Sequence, residues 1–250
     1  MAAVVALCLV ASSSAPMSAQ GATPGLLYIE TAPRPNGGLA VVGDSLLFTQ
    51  FHELDDSLRA QQWGPIGIEV RSGRRTVIPQ EIATSGIDAV RRLRAWGLDP
   101  PIWVIALGTN DMTYTYGNVA AVDALIDTMM AEIGGGRRVV WVNVFARSTD
   151  SKARAIEFNG RLTAATSRHP LLSIADWFTL ASGNPSWFVD DVHTNTAGAL
   201  ARNEFVAQAA LMPRCPLVAP SVSLAEPSPP VAVAAATAVA TAVATHRCRV

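Results

Sequence analysis

The chain has 250 residues, the length of one ordinary α/β domain with flanking tails, and with half of them apolar and 16% charged the bulk of it is not intrinsically disordered. Nineteen basic against 20 acidic side chains give a formal charge of −1, without the cationic surplus that phosphate binding needs, which argues against nucleic acid as a partner. Three cysteines without C-x-x-C spacing exclude a zinc ribbon and a disulfide-stapled miniprotein, and no apolar run in the middle of the chain is long enough to span a membrane.

The first 24 residues open with an apolar stretch from Met1 to Val10. Small residues follow, Ser12-Ser13-Ser14-Ala15 and Ser18-Ala19-Gln20, as in the core and cleavage zone of an export signal. No Lys or Arg precedes Arg34, so the segment lacks the usual basic start. The expectation is a signal or a disordered extension over residues 1–24, and a secreted or periplasmic protein. Cys8 is no lipidation site, because the bulky Leu7 precedes it. Residues 25–37 read as a linker.

Leu39 to Val42 is a short apolar run ended by Gly43, a buried strand. From Leu46 to Gln62 the apolar residues recur at helical spacing, as Leu47, Phe51, Leu54 and Leu58. Ile66 to Val70 is a second strand, and Pro79 opens a helix carrying Ile82, Ile87, Val90, Leu93 and Trp96. Ile102 to Leu107 is the strongest strand, apolar on both faces as at the centre of a parallel sheet. Val119 to Ile133 is helical and stops at three glycines. Val139–Val144 is a strand, Ala155–Ser167 a helix, Leu171–Ala175 the last strand, and Ala197–Ala210 the closing helix. This alternation predicts a three-layer α/β/α sandwich around a five-stranded parallel sheet, over residues 38–212. Beyond it, prolines and an Ala/Val/Thr run make residues 213–250 a low-complexity tail. Cys215 and Cys248 there stand as a disulfide pair or as free thiols.

Ligands of such sheets bind beyond the carboxyl ends of the strands, so the residues just after each strand carry the functional reading. The first strand is followed by Gly43-Asp44-Ser45-Leu46, with a serine where strand turns into helix. Arg71-Ser72-Gly73-Arg74 follows the second, and Gly73, unlike Gly67 or Gly86, directly succeeds a strand. A glycine there brings its N–H close to a cleft. Gly108-Thr109-Asn110-Asp111 follows the third, where the Asn amide is a neutral donor suited to an oxyanion. Asp190-Asp191-Val192-His193 precedes the closing helix. A carboxylate on the same turn as a histidine can hold one ring nitrogen while the other accepts a serine proton.

These four blocks, in this order, resemble the SGNH (GDSL-type) hydrolase superfamily across roughly residues 38–210. The resemblance implies an SGNH/flavodoxin-like fold and a serine esterase. Ser45, Asp190 and His193 would be catalytic; Ser45, Gly73 and Asn110 would form the oxyanion hole. Asp190 is preferred to Asp191 on spacing and on the family's pattern. Val70-x-x-Gly73-Arg74, Asn143, Asn159, Asp176-Trp177 and Trp187 further resemble secreted esterases and the extracytoplasmic domain of peptidoglycan O-acetyltransferases. The expected reaction is hydrolysis of short acyl esters, acetyl foremost, on a small molecule or glycan; acetyl transfer to cell-wall glycan is the alternative. Asp44, Arg74 and Trp187 are the candidate substrate contacts, Asp44 and Asp111 being suited also to orienting loops. Tyr114 and Tyr116 lie in loops on the same side. The sequence holds no metal-ligand cluster or phosphate-cradling loop, so no cofactor or metal is expected.

Overall fold

The computed structural model describes residues 25–79 and 84–212. The signal-like segment, the tail with Cys215 and Cys248, and Ile82 lie outside the described residues.

Six strands form one sheet: β1 Gly25–Glu30, β2 Leu39–Gly43, β3 Ile66–Arg71, β4 Ile102–Ala106, β5 Arg138–Val142 and β6 Leu172–Ala175. Their order is β1-β3-β2-β4-β5-β6, with β2 to β6 parallel and β1 antiparallel on the edge. The helices are α1 Phe51–Ala60, α2 Gly86–Ala95, α3 Met112–Thr115, α4 Val119–Ile133, α5 Thr149–Ala165, α6 Trp177–Ser182 and α7 Thr196–Ala209.

Alternation along the buried strands sorts the core into two layers. Ala40, Val42, Trp103, Ile105, Val139 and Trp141 face α2, α4 and α5, through Val90, Ile126 and Phe158 among others. Leu39, Val41, Val104, Val140 and Val142 face α1 and α7, through Leu54, Leu58 and Val206. The sandwich is therefore as the alternation of strand and helix predicts, and the helix over Val119–Ile133 has the predicted bounds.

The strand count differs. Residues 25–30, which composition reads as linker, form β1. Leu26 and Tyr28 pack toward one layer, Leu27 and Ile29 toward the other, and the buried Glu30 is held by Arg34 at 2.9 Å. The signal was the run Leu26-Leu27-Tyr28-Ile29, too short to separate from its Pro- and Gly-rich surroundings.

The helix expected from Leu46 is broken. Ser45–Leu47 make a single 3₁₀ turn, and Gln50 takes a left-handed conformation at φ 58° before α1 begins. Asn203 of α7 holds this break, its amide donating to the carbonyls of Gln50 (2.5 Å) and Thr49 (3.4 Å). The helix expected from Pro79 starts at Gly86, where Ser85 and Asp88 form a reciprocal capping box. α5 starts earlier than its apolar period, at Thr149, since its first turn is polar and exposed.

The order of the five parallel strands reverses between β2 and β4, whose carboxyl ends therefore open a crevice. Gly108, just past β4, has φ +126°, and a Cβ there would lie 2.5 Å from the Phe158 ring and 2.9 Å from Val144. Gly108→Ala combines backbone strain with a core clash and should cost at least about 2 kcal/mol, read as a fall in urea midpoint at unchanged m-value.

Candidate active site

Ser45 sits where β2 turns into the 3₁₀ turn, half-buried. Its hydroxyl meets His193 Nε2 at 3.2 Å across 148 residues of chain. His193 Nδ1 meets Asp190 Oδ2 at 2.8 Å. The other oxygen of Asp190 accepts the N–H groups of His193 (2.7 Å) and Val192 (2.9 Å). Carboxylate and imidazole are thus locked on one turn, which Val189 N–H closes by donating to the His193 carbonyl at 2.9 Å. Partial burial pushes the Asp190 carboxyl up, but these N–H bonds outweigh it and hold it below the ordinary carboxylate range. About half of each side chain is exposed, 49% for His193 and 54% for Asp190, so the pair opens to solvent.

Asp191 does a different job. Its Oδ1 accepts the N–H groups of Arg147 (2.8 Å) and Ser148 (2.5 Å), and its Oδ2 accepts the Ser148 hydroxyl (2.9 Å). Arg147 Nη1 donates to the carbonyls of Phe188 (3.2 Å) and Asp190 (3.3 Å). The turn bearing His193 is thereby fastened to the start of α5.

Two of the three oxyanion candidates come together through residue 74. Gly73 adopts φ +69°, a conformation that favours glycine. Asn110 Nδ2 donates to the Arg74 carbonyl (3.1 Å) and, more weakly, to Asp44 Oδ2 (3.4 Å). Both amide hydrogens have protein acceptors, and the long bond to Asp44 is the one that would yield to an oxyanion.

Arg74 and Asp44 are not substrate contacts. Arg74 is 1% exposed; its guanidinium donates to the carbonyls of Thr84 (3.0 Å), Gly43 (3.1 Å) and Glu69 (2.8 Å) and pairs with the Glu69 carboxylate (2.7 Å). Burial pulls its pKa down to about 10. Arg74 therefore staples the end of β2 to the loop after β3. Asp44 is fully buried and accepts the Leu46 N–H at 3.0 Å, which shapes the turn around Ser45. Trp187 is half-buried and stacked on the buried Trp177, ring centroids 6.0 Å apart. Asn143 and Asn159 are structural as well, bonding Asp176 and both backbone groups of Val144.

Asp111 links two blocks. It accepts the Thr76 N–H at 3.1 Å and the Thr76 hydroxyl at 2.8 Å, joining the loop after β4 to the loop after β3. Burial raises its pKa from 3.8 to about 6. On the rim, Arg75 lies 3.4 Å over the exposed Tyr114 ring. Among the described residues no group of three or more His, Cys, Asp or Glu is placed to hold a metal ion, and no helix is long and apolar enough to cross a membrane.

No family model and no curated protein matches the sequence. Solved structures do match at low identity. The catalytic domain of peptidoglycan O-acetyltransferase A from Streptococcus pneumoniae, bearing a methylsulfonyl adduct, aligns at TM-score 0.51 and 16% identity, over 70% of this chain and 93% of that one. A lipolytic G-D-S-L family protein from Veillonella parvula gives 0.53 and 15%, over 70% and 97%. A carbohydrate acetylesterase from Sinorhizobium meliloti gives 0.52 and 16%, over 68% and 96%. The fold is that of the SGNH hydrolases. In this chain the blocks holding Ser45, Gly73 and Asn110 are tied by Arg74 and Asp111, and His193 reaches Ser45 from its turn before α7.

A loop-orienting role for Asp111 was legible in the sequence; the anchoring roles of Arg74, Asp191 and Arg147 were not. These three act through backbone groups far away in the chain, for which spacing carries no signal.

Asp190→Asn should lower kcat far more than Asp191→Asn, since only Asp190 touches the imidazole; the reverse ranking in ester hydrolysis would transfer the role. Asp111 has its own pH signature. Its folded pKa of about 6 exceeds its ordinary 3.8, so the unfolded chain releases the proton first as pH rises. Wild-type stability should fall relative to Asp111→Asn by roughly 3 kcal/mol between about pH 4 and pH 6, then level off, in paired denaturant titrations.

Proposed function

We propose that this chain is a serine esterase that hydrolyses short-chain acyl esters, acetyl esters of carbohydrates foremost, through an acyl-serine intermediate. The observation that carries the reading is the unbroken chain of contacts from Asp190 through His193 to Ser45, at 2.8 and 3.2 Å. Ser45 Oγ attacks the ester carbonyl carbon as its proton passes to His193 Nε2, and Asp190 stabilises the resulting imidazolium. The tetrahedral oxyanion is held by the backbone N–H groups of Ser45 and Gly73 and by Asn110 Nδ2, once that amide leaves Asp44. Collapse breaks the bond to the leaving oxygen, which takes the proton from His193 and departs as the alcohol. His193 then removes a proton from water, whose oxygen attacks the acyl-Ser45 ester; the acid leaves and the proton returns to Ser45.

Transfer to a sugar hydroxyl needs only that the acceptor replace water in the second half. The exposed His193 favours neither acceptor by burial. The likeness to an O-acetyltransferase domain supports keeping this second reading. Added oligosaccharide that gains acetyl groups would establish it; free acetate alone would establish the esterase.

Ser45→Ala should abolish hydrolysis of 4-nitrophenyl acetate, a loss of at least roughly 10³-fold, and a retained rate would remove the assignment. Asn110→Ala should lower kcat about 10²- to 10³-fold, most of it at unchanged KM.

A further inference from the structure

The acyl-transfer steps leave unused a cation on the loops that carry the oxyanion donors. The loop after β3 is bonded to the loop after β4 on both sides of residue 75. The Arg74 carbonyl accepts Asn110 Nδ2 at 3.1 Å, and Thr76 donates its N–H and its hydroxyl to Asp111. Arg74 and Thr76 are buried, whereas Arg75 between them is only half-buried. Its guanidinium carbon lies 3.4 Å from the ring centroid of Tyr114, which belongs to α3 and is 67% exposed. Arg75 comes two residues after Gly73, and Tyr114 four after Asn110.

This guanidinium has no acceptor of its own. None of its nitrogens makes a hydrogen bond or an ion pair among the described residues, and Nε alone of the three is shut off from solvent. Asp111, the acid on the adjoining loop, gives both oxygens to Thr76. The Tyr114 face offsets part of the cost of leaving Nε unpaired and holds the planar group in one place. The terminal amino groups then present a fixed pair of donors, the fork that matches the two oxygens of a carboxylate. A second such pair adjoins it. Arg154 of α5 lies 5.8 Å from the ring centroid of the exposed Tyr116, and its Nη1 donates to the Thr113 hydroxyl at 3.4 Å. The neighbouring acid Glu157 is taken up by the Gly117 N–H at 2.8 Å.

We propose that Arg75, held on Tyr114, is a specificity-determining residue that binds a carboxylate on the alcohol part of the ester, so that the substrate is the acetyl ester of an acidic saccharide. The inference rests on the esterase reading for its kinetic consequence but not for the binding of the acidic saccharide itself. A uronic acid and a carboxyalkyl ether on a ring oxygen offer the fork the same two oxygens, and the choice of substrates separates them.

The test compares kcat/KM for three methyl glycosides, each acetylated at O2: the glucoside, the glucuronide, and the glucoside carrying a lactyl ether at O3. The wild-type protein should prefer one acidic ester over the neutral one by about 10-fold, through KM more than kcat, and less so as salt is raised. Whichever acidic ester is preferred places the carboxylate on the sugar. Arg75→Met should bring the ratio of acidic to neutral close to one, and Arg75→Lys, a point charge without the fork, should keep only part of it. Tyr114→Phe should keep the wild-type ratio and Tyr114→Ala should lower it. The ratio is read within each variant, so a loss of folded protein cancels. A wild-type protein without the preference overturns the proposal, as does a preference that survives Arg75→Met. A second measurement needs no turnover: the Arg75 Nε–H resonance of the wild-type protein, titrated by NMR with the three glycosides lacking the acetyl group. A shift with an acidic glycoside and not with the neutral one upholds the subsite, and in a protein that cleaves none of the esters it removes the esterase reading alone. No shift, or the same shift with all three, overturns the proposal.

Discussion

The Ser45–His193 contact joins two segments 148 residues apart, and its length depends on how firmly each is held. Neither belongs to a strand. Ser45 lies on a single 3₁₀ turn, and His193 on a tight turn before α7, both of them elements with little stability of their own. The geometry is therefore set by anchors outside the two residues. Asp44 caps the first turn, Asp190 and Val189 close the second, and Asp191 binds that second turn to the start of α5.

The anchors share a chemistry. A charged side chain takes several polar groups at once, most of them on the backbone: Arg74 takes three carbonyls, Asp191 takes two N–H groups, and Asp111 takes the Thr76 N–H together with its hydroxyl. Loops at strand ends leave backbone polar groups without ladder partners, and burying them unpaired would be expensive. Ionised side chains satisfy them with charge-assisted bonds and fix the loops relative to one another. Buried charges of this kind add little net stability, since desolvation offsets the attraction. Their value here lies in holding Ser45, Gly73 and Asn110 to one arrangement.

Asp190 and Asp191 show how adjacent, identical side chains separate by direction alone. The first points along its own turn to the imidazole, the second away to the N–H groups of Arg147 and Ser148. Arg74 reverses its expected role for a similar reason: it follows a cleft glycine, yet its side chain turns inward beneath the cleft to Glu69 and Gly43.

The amino-acid sequence by itself determined the alternation of strand and helix, because apolar period is a local property that burial rewards in any parallel sheet. It determined the four polar blocks too, since each occupies the few residues after a strand or before a helix. β1 escaped it, because a six-residue edge strand buries too little to mark itself against a linker. Tertiary structure alone decided that Ser45 and His193 are neighbours, that Asp190 and not Asp191 meets the ring, and that Arg74 and Asp44 turn inward and are buried. Those outcomes rest on contacts between segments distant in the chain, where only the folded backbone determines which donor faces which acceptor.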